Sequence, residues 1–236
     1  MTTVATPLEE ARRVLGECAL FRGLQAEERH ALISRAHVRQ FDPGDTIFLM
    51  GSPGDSMMAL LSGSIRISVP SPEGKEIVLA ILQPGDIFGE IALLDGKERS
   101  ADAKAITEVS CLAVLNRRDV MAFLDKHPSA WAALVQVLCE RLRRTDQQFA
   151  EVALMQVPIR LARALLRLTT PATGLKARAE VRLSQRELGN MVGATRESVN
   201  KCLGDWQKRG MVRVEDAVIH ITNRAALEEL AELGLL

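Results

Sequence analysis

No apolar run in this 236-residue chain approaches the roughly 18 residues that a membrane span needs. The N-terminal MTTVATPLEEARR lacks the basic-then-apolar pattern of a signal peptide. The expectation is a cytoplasmic protein that meets no membrane. Cysteine is sparse: Cys18, Cys111, Cys139 and Cys202 stand far apart, without a CxxC or CxxH pair. That spacing disfavours a metal or iron–sulfur sensor and reads as four reduced, mostly buried small apolar side chains. His30, His37, His127 and His220 are equally scattered and read as surface or capping residues, so no metal is expected. Internal repeats and low-complexity tracts are absent. No nucleophile, base and acid group together as an enzyme requires, so no catalytic activity is expected.

Overall charge is missing too: the formal net charge is +0, which argues against a protein held to nucleic acid by bulk charge. The total hides a split. From residue 157 onward there are 13 Lys+Arg against 9 Asp+Glu, leaving 17 against 21 before it. A mildly acidic first part joined to a moderately basic second part fits a sensor joined to a DNA-binding unit.

What is present is a change of texture along the chain. Residues from about Pro7 to His37 carry apolar side chains at helical spacing, with a break near Phe21 to Gly23. From Val38, short apolar runs alternate with Pro-Gly-Asp and Ser-Gly punctuation, as in FDPGDTIFL and EIVLAILQPGDIF. Turn signals about ten residues apart predict a compact antiparallel roll of short strands. After Asn116 the helical period returns. RRDVMAFLDKH stops at Pro128, and a long helix is predicted from about Ser129 to Met155. Along it Leu134, Leu138, Arg141 or Leu142, Thr145, Phe149 and Val152 recur at steps of three and four. This seam is expected to bury itself against a second copy, the alternative being packing on the roll of its own chain. Ala153 to Val157 reads as a hinge before Pro158, which opens the next helix.

LSQRELGNMVGATRESVNKCLGDWQKRG carries the start and stop signals of two helices. Ser184 caps the first with Glu187 completing a capping box, Gly193 makes the turn, and Thr195 caps the second. Val199, Leu203 and Trp206 fall on one face of that second helix, ready to be buried against Leu188 and Val192. Arg196, Glu197, Asn200 and Lys201 face the other way, as the base-reading side of a recognition helix must. Arg suits the two acceptors of guanine and Glu accepts from cytosine's amine; Ser184, Thr195 and Ser198 complete the DNA-facing set, Thr195 and Ser198 being short enough for phosphate oxygens. MVRVEDAVIHI reads as a hairpin turning at Glu215-Asp216, a wing beside the DNA backbone. Any helical hairpin with a solvated charged face is the plainer alternative.

Within the roll stands FGEIALLDGKERSADA. Gly89 lets backbone approach a ligand, and the stretch from Glu90 through Ile91 and Ala92 to Leu93 aims free N–H groups at an anion. Arg99 offers a planar fork for a phosphate with two exposed oxygens, and Ser100 adds a hydroxyl. Glu90 is suited to accept from a ribose hydroxyl. The plain alternative is that Glu90 and Arg99 pair with each other.

Three stretches in this order resemble one family. They are Phe88-Gly89-Glu90 to Arg99-Ser100-Ala101, then Val157-Pro158-Ile159-Arg160-Leu161-Ala162, and finally Ser184-Gln185-Arg186-Glu187-Leu188 to Val199-Asn200. The chain from about residue 20 to 222 resembles the cyclic-AMP receptor protein and FNR superfamily of bacterial transcription regulators. The resemblance implies an α+β chain: a cyclic-nucleotide-binding β-roll over residues 1–128, a dimerisation helix and hinge over 129–157, and a winged helix-turn-helix over 158–236. It implies a homodimer on a palindromic operator, with RNA polymerase as a further partner.

Residue by residue, the resemblance places Gly89 and Glu90 at the sugar, and Arg99 with Ser100 at the cyclic phosphate. Ile91 and Ala92 join the phosphate turn. On the long helix Arg141 and Thr145 match positions that meet the ligand in cyclic-AMP-binding members, where the Thr reaches the adenine amine. Asp146 stands where such members carry a hydroxyl residue. Cyclic AMP is the favoured effector, but a carboxylate also accepts from guanine's N1–H and amine, which keeps cyclic GMP as the alternative. Arg196 and Glu197 match the base-reading pair; Lys201 stands where members often have Arg and lacks its fork. A ligand-independent regulator using the roll as scaffold is the other reading.

Overall fold

The computed structural model describes residues 25–71, 76–106, 109–169, 180–216 and 218–233. The helical reading from Pro7 to Gly23 and Cys18 lie outside the described residues. The chain divides into two compact units, one drawn from the stretch up to Val69 with Ala80–Leu142, the other from Pro70–Leu79 with Arg143–Leu236.

The first unit opens with α1 (Ala26–Ile33), started by a capping box between Gln25 and Glu28. Strands β1 (His37–Phe41), β2 (Thr46–Phe48), β3 (Ser56–Ser62), β4 (Ile65–Pro70), β5 (Glu76–Leu82) and β6 (Ile87–Phe88) follow. A short helix α2 (Glu90–Asp95) interrupts them before β7 (Asp102–Ala105) and β8 (Ser110–Asn116). They form two four-stranded sheets in the orders β1-β8-β3-β6 and β2-β7-β4-β5.

The central strand β3, SMMALLS, is buried along almost its whole length. An uninterrupted apolar run fits that place because successive side chains leave a strand on opposite faces. Met58 and Leu60 enter the core of the roll with Phe41, Ile65, Phe88 and Leu112. Met57, Ala59 and Leu61 enter a second core beneath the helices, with Leu32, Phe123, Leu124 and Leu134. Strand β8 divides in the same way, Leu112 and Val114 inward, Ala113 and Leu115 toward the helices.

Helix α3 (Arg117–Leu124) leads into the 27-residue α4 (Pro128–Leu154). Its first half seats Ala130, Ala133, Leu134 and Val137 in the helix-side core. Leu134, expected on the outward seam, therefore belongs to the packing of its own chain. The outward stripe is Trp131, Val135, Leu138, Leu142, Thr145, Phe149 and Val152, at alternating steps of four and three. Leu142 is 62% exposed and Phe149 75%. Two apolar faces share one helix: the inner one packs on its own chain and the outer one is exposed.

The second unit holds α5 (Val157–Thr169), β9 (Glu180–Val181), α6 (Gln185–Val192), α7 (Arg196–Lys208), β10 (Val212–Glu215), β11 (Val218–Ile221) and α8 (Arg224–Glu232). The hairpin β10–β11 is the expected wing, with Asp216 in the left-handed region at φ 48°. Strand β9 adds to β11, and α8 follows an Asn223 cap; neither is read in the sequence above. Arg163 donates to the Ala231 carbonyl at 2.9 Å, tying α8 to α5. The end of α4 is tied to α5 by Glu151, a buried carboxylate reached by Arg167 at 2.9 Å and Arg163 at 3.5 Å.

Candidate nucleotide and nucleic-acid sites

Gly89 starts α2 with φ 79°. A Cβ there would lie 2.7 Å from Arg99 Nη1 and 3.2 Å from the Ser56 carbonyl, so glycine is required by backbone and by space alike. The following residue, Glu90, is fully buried. Its Oε1 pairs with Arg141 Nη1 from α4, whose Nη2 donates to the Ile87 carbonyl at 2.6 Å. Glu90 thus pairs with Arg141 and not with Arg99.

Arg99 is buried as deeply, at 4% exposure. Its Nη1 donates to the carbonyls of Ser56 at 2.7 Å and Gly89 at 2.9 Å, and Nη2 donates to Ser56 Oγ at 3.0 Å. The guanidinium lies 4.3 Å from the centre of the Phe48 ring. Burial lowers its pKa, opposed by the charges of Asp55 and Glu90; a guanidinium stays protonated regardless. Two atoms of this site are buried without a hydrogen-bond partner among the described residues: Glu90 Oε2 and Arg99 Nε. One is an acceptor and the other a cationic donor, and each is costly to leave unmet. By their chemistry, the first would take a hydroxyl donor and the second an anionic acceptor.

Of the other expected ligand residues, Ala92 is buried, Ile91 is 42% exposed and Ser100 is exposed. Arg141 joins the cassette directly. Thr145 and Asp146 are exposed on α4, about one turn farther along. Ser56 and Phe48, which hold Arg99, are missed by sequence reading. Turn punctuation marks their neighbourhood, but only the tertiary fold brings them to residue 99.

In the second unit the caps form as read. Ser184 Oγ accepts from Glu187 N at 3.2 Å while Ser184 N donates to Glu187 Oε2 at 2.8 Å. Gly193 takes φ 62° at the turn. Gly189, not singled out above, is equally bound: a Cβ would sit 2.7 Å from the Ala194 carbonyl. Thr195 Oγ1 accepts from Ser198 N at 3.2 Å and lies 3.1 Å from Ser198 Oγ. Both hydroxyls are therefore engaged at the helix start.

Val199, Leu203 and Trp206 are buried, and Arg196, Glu197, Asn200 and Lys201 are exposed. The Glu197 carboxyl is held below its ordinary pKa by its own backbone N–H and the Thr195 hydroxyl, with a smaller contribution from Arg196. It is an acceptor at neutral pH. On the same helix, burial and then Asp205 push the Cys202 thiol up, so it is not a thiolate. Cys139 is exposed and Cys111 half-buried, which differs from the mostly buried expectation. No group of three metal-ligating side chains occurs among the described residues. None of the described helices is long and apolar enough to cross a membrane.

Comparison with known proteins agrees with this geometry. Residues 38–127 match the cyclic nucleotide-binding domain family, and residues 159–230 match the Crp-like helix-turn-helix domain. A CRP-like cAMP-activated global transcriptional regulator of Mycobacterium tuberculosis (strain CDC 1551 / Oshkosh) is 33% identical, over 92% of this chain and 98% of the relative. The cyclic AMP receptor protein of Thermus thermophilus is 34% identical, over 90% of this chain and 96% of the relative. A crystal structure of a CRP/FNR-family transcriptional regulator, also from Thermus thermophilus, superposes with a TM-score of 0.70 at 29% identity, covering 83% of this chain and 98% of that one. The chain belongs to the cyclic-AMP receptor protein and FNR family: it is a cyclic-nucleotide-binding transcription regulator whose DNA reader is a winged helix-turn-helix.

Proposed function

We propose that this chain is a cytoplasmic, homodimeric regulator whose DNA binding is switched on by cyclic AMP. The observation that carries the effector reading is the pair of orphaned buried atoms, Glu90 Oε2 and Arg99 Nε, on one small site. A cyclic nucleotide supplies a ribose hydroxyl, two exocyclic phosphate oxygens and a purine edge. Glu90 Oε2 accepts from the hydroxyl. Arg99 Nε, Ser100 Oγ and the first-turn N–H groups of Ile91 and Ala92 donate to the phosphate, with Gly89 permitting the approach. Arg141 pairs with the Glu90 carboxylate and links the cassette to α4. Thr145 and Asp146 serve the purine.

The outward stripe of α4 favours a second copy as its cover, since a heptad-spaced apolar face this exposed is a poor surface for a lone chain. Two-fold symmetry then sets two recognition helices against a palindromic operator with half-sites about one helical turn apart. Arg196, Glu197, Asn200 and Lys201 read bases, while Ser184, Thr195 and Ser198 mark the helix starts beside the phosphates. Residues 1–128 form the sensor, 129–157 the dimerisation helix and hinge, and 158–236 the DNA-binding domain. RNA polymerase is the partner that converts operator binding into regulation. Cyclic AMP acts by favouring one arrangement of this system over another, since equal affinity for both shifts nothing.

Calorimetric titration with cyclic AMP and cyclic GMP, repeated on Asp146→Ser, tests the reading. Cyclic AMP heat with tighter operator binding is expected. No heat from either nucleotide leaves a ligand-independent regulator. Asp146, an exposed carboxylate, favours cyclic GMP as the second reading, and cyclic GMP heat that vanishes in Asp146→Ser would establish it.

A further inference from the structure

The donors of Arg99 are not equally free, and their accounting singles out Ser56. A guanidinium has five N–H groups. Both of those on Nη1 are taken by the Ser56 and Gly89 carbonyls, and one on Nη2 is taken by Ser56 Oγ. Ser56 therefore holds Nη1 with its carbonyl and Nη2 with its hydroxyl, across the end of the fork. The Ser56 hydroxyl in turn donates to Asp55 Oδ1 at 3.3 Å, which turns its lone pairs toward Arg99. Phe48 backs the plane of the guanidinium. Nε and the second Nη2 proton make no hydrogen bond among the described residues, the Asp55 carboxylate lying 4.0 Å from Nη2, and they form the side edge of the fork.

We infer that Ser56 is a positioning residue: by clamping the end edge of Arg99 it presents the side edge, Nε with Nη2, to the two exocyclic oxygens of a cyclic phosphate. This rests on the effector reading above. Ser56 begins β3 and is 8% exposed, so the clamp is part of the roll. A preset fork distinguishes the two exocyclic oxygens; an arginine free to rotate treats them more alike.

The test uses cyclic AMP and its two phosphorothioate diastereomers, in which sulfur replaces one exocyclic oxygen or the other. Their affinities are measured by calorimetry on the full chain, Ser56→Ala, Ser56→Thr and Ser56→Val. The unaltered chain is expected to separate the diastereomers. Ser56→Ala loses about 10-fold in cyclic AMP affinity, the scale of one hydrogen bond to a charged group, and the preference between diastereomers collapses. Ser56→Thr keeps the hydroxyl and the preference; its near-isostere Ser56→Val loses both, which separates the hydroxyl from packing if Ser56→Ala folds poorly. A general loss of folding weakens both diastereomers alike and leaves their ratio unchanged, which counts against the clamp. Undiminished affinity and preference in Ser56→Ala and Ser56→Val overturn the clamp alone. An unaltered chain that binds no cyclic nucleotide overturns the effector reading and the clamp with it.

Discussion

Arg99 and Arg196 separate the two functions at the level of single side chains. Arg99→Ala removes a buried cation that has three hydrogen bonds within the protein and is the proposed phosphate donor. The expected outcome is no measurable cyclic AMP heat and no ligand-stimulated operator binding, by calorimetry and fluorescence anisotropy. Arg196 is exposed at the start of α7. Arg196→Ala is expected to cost operator affinity about 1–3 kcal/mol, the scale of one bidentate base contact, with nucleotide affinity unchanged. Normal nucleotide stimulation in Arg99→Ala would sink the phosphate assignment. The motifs that hold these side chains are legible in the sequence because each spans a few adjacent residues. The Arg141 to Glu90 pair is not, because 51 residues separate its partners and only the fold closes that distance.

Helix α4 shows how one element serves two surfaces. Its inner face is fixed in the sensor core, while Phe149 stands 75% exposed on the outer stripe. Phe149→Glu places a charge in the proposed dimer seam, and sedimentation equilibrium is expected to show a shift toward monomer with little change in helix content. A dimer of unaltered stability would place the second copy elsewhere. At the far end of α4, Glu151 is 7% exposed and faces Arg163 and Arg167. Glu151→Ala removes the carboxylate that those two cations share and is expected to destabilise the C-terminal unit by about 3 kcal/mol, the scale of a broken buried pair, read by denaturant unfolding. The three-four periodicity of α4 announces a buried face but not which face; spacing alone puts Leu134 on the seam because it does not tell a roll from a partner.

For the whole molecule, pH acts through carboxylates in both units. Glu28 is held below its ordinary pKa chiefly by the Gln25 backbone N–H, with His127 and Ser129 adding to the effect. Glu197 is lowered at the start of the recognition helix. A depressed carboxylate contributes stability above its unfolded pKa and loses it as pH falls through the folded value. The thermal midpoint is therefore expected to hold near neutrality and to fall below about pH 4.5. A calorimetric midpoint that rises on acidification would contradict that sign.

The sequence alone determined the two-part plan, the strand-and-turn texture of the roll, the caps of α6 and α7, and the glycine turn of the phosphate-sized motif. These are local: periodicity, turn residues and capping act within a few residues. Tertiary structure decided what local signals do not carry. It set Ser56 and Phe48 around Arg99, gave Glu90 to Arg141, sent Leu134 inward, and added β9 and α8 to the DNA-binding unit. Each depends on residues distant in the chain meeting in space, where burial makes every unpaired donor or acceptor costly enough to select its partner.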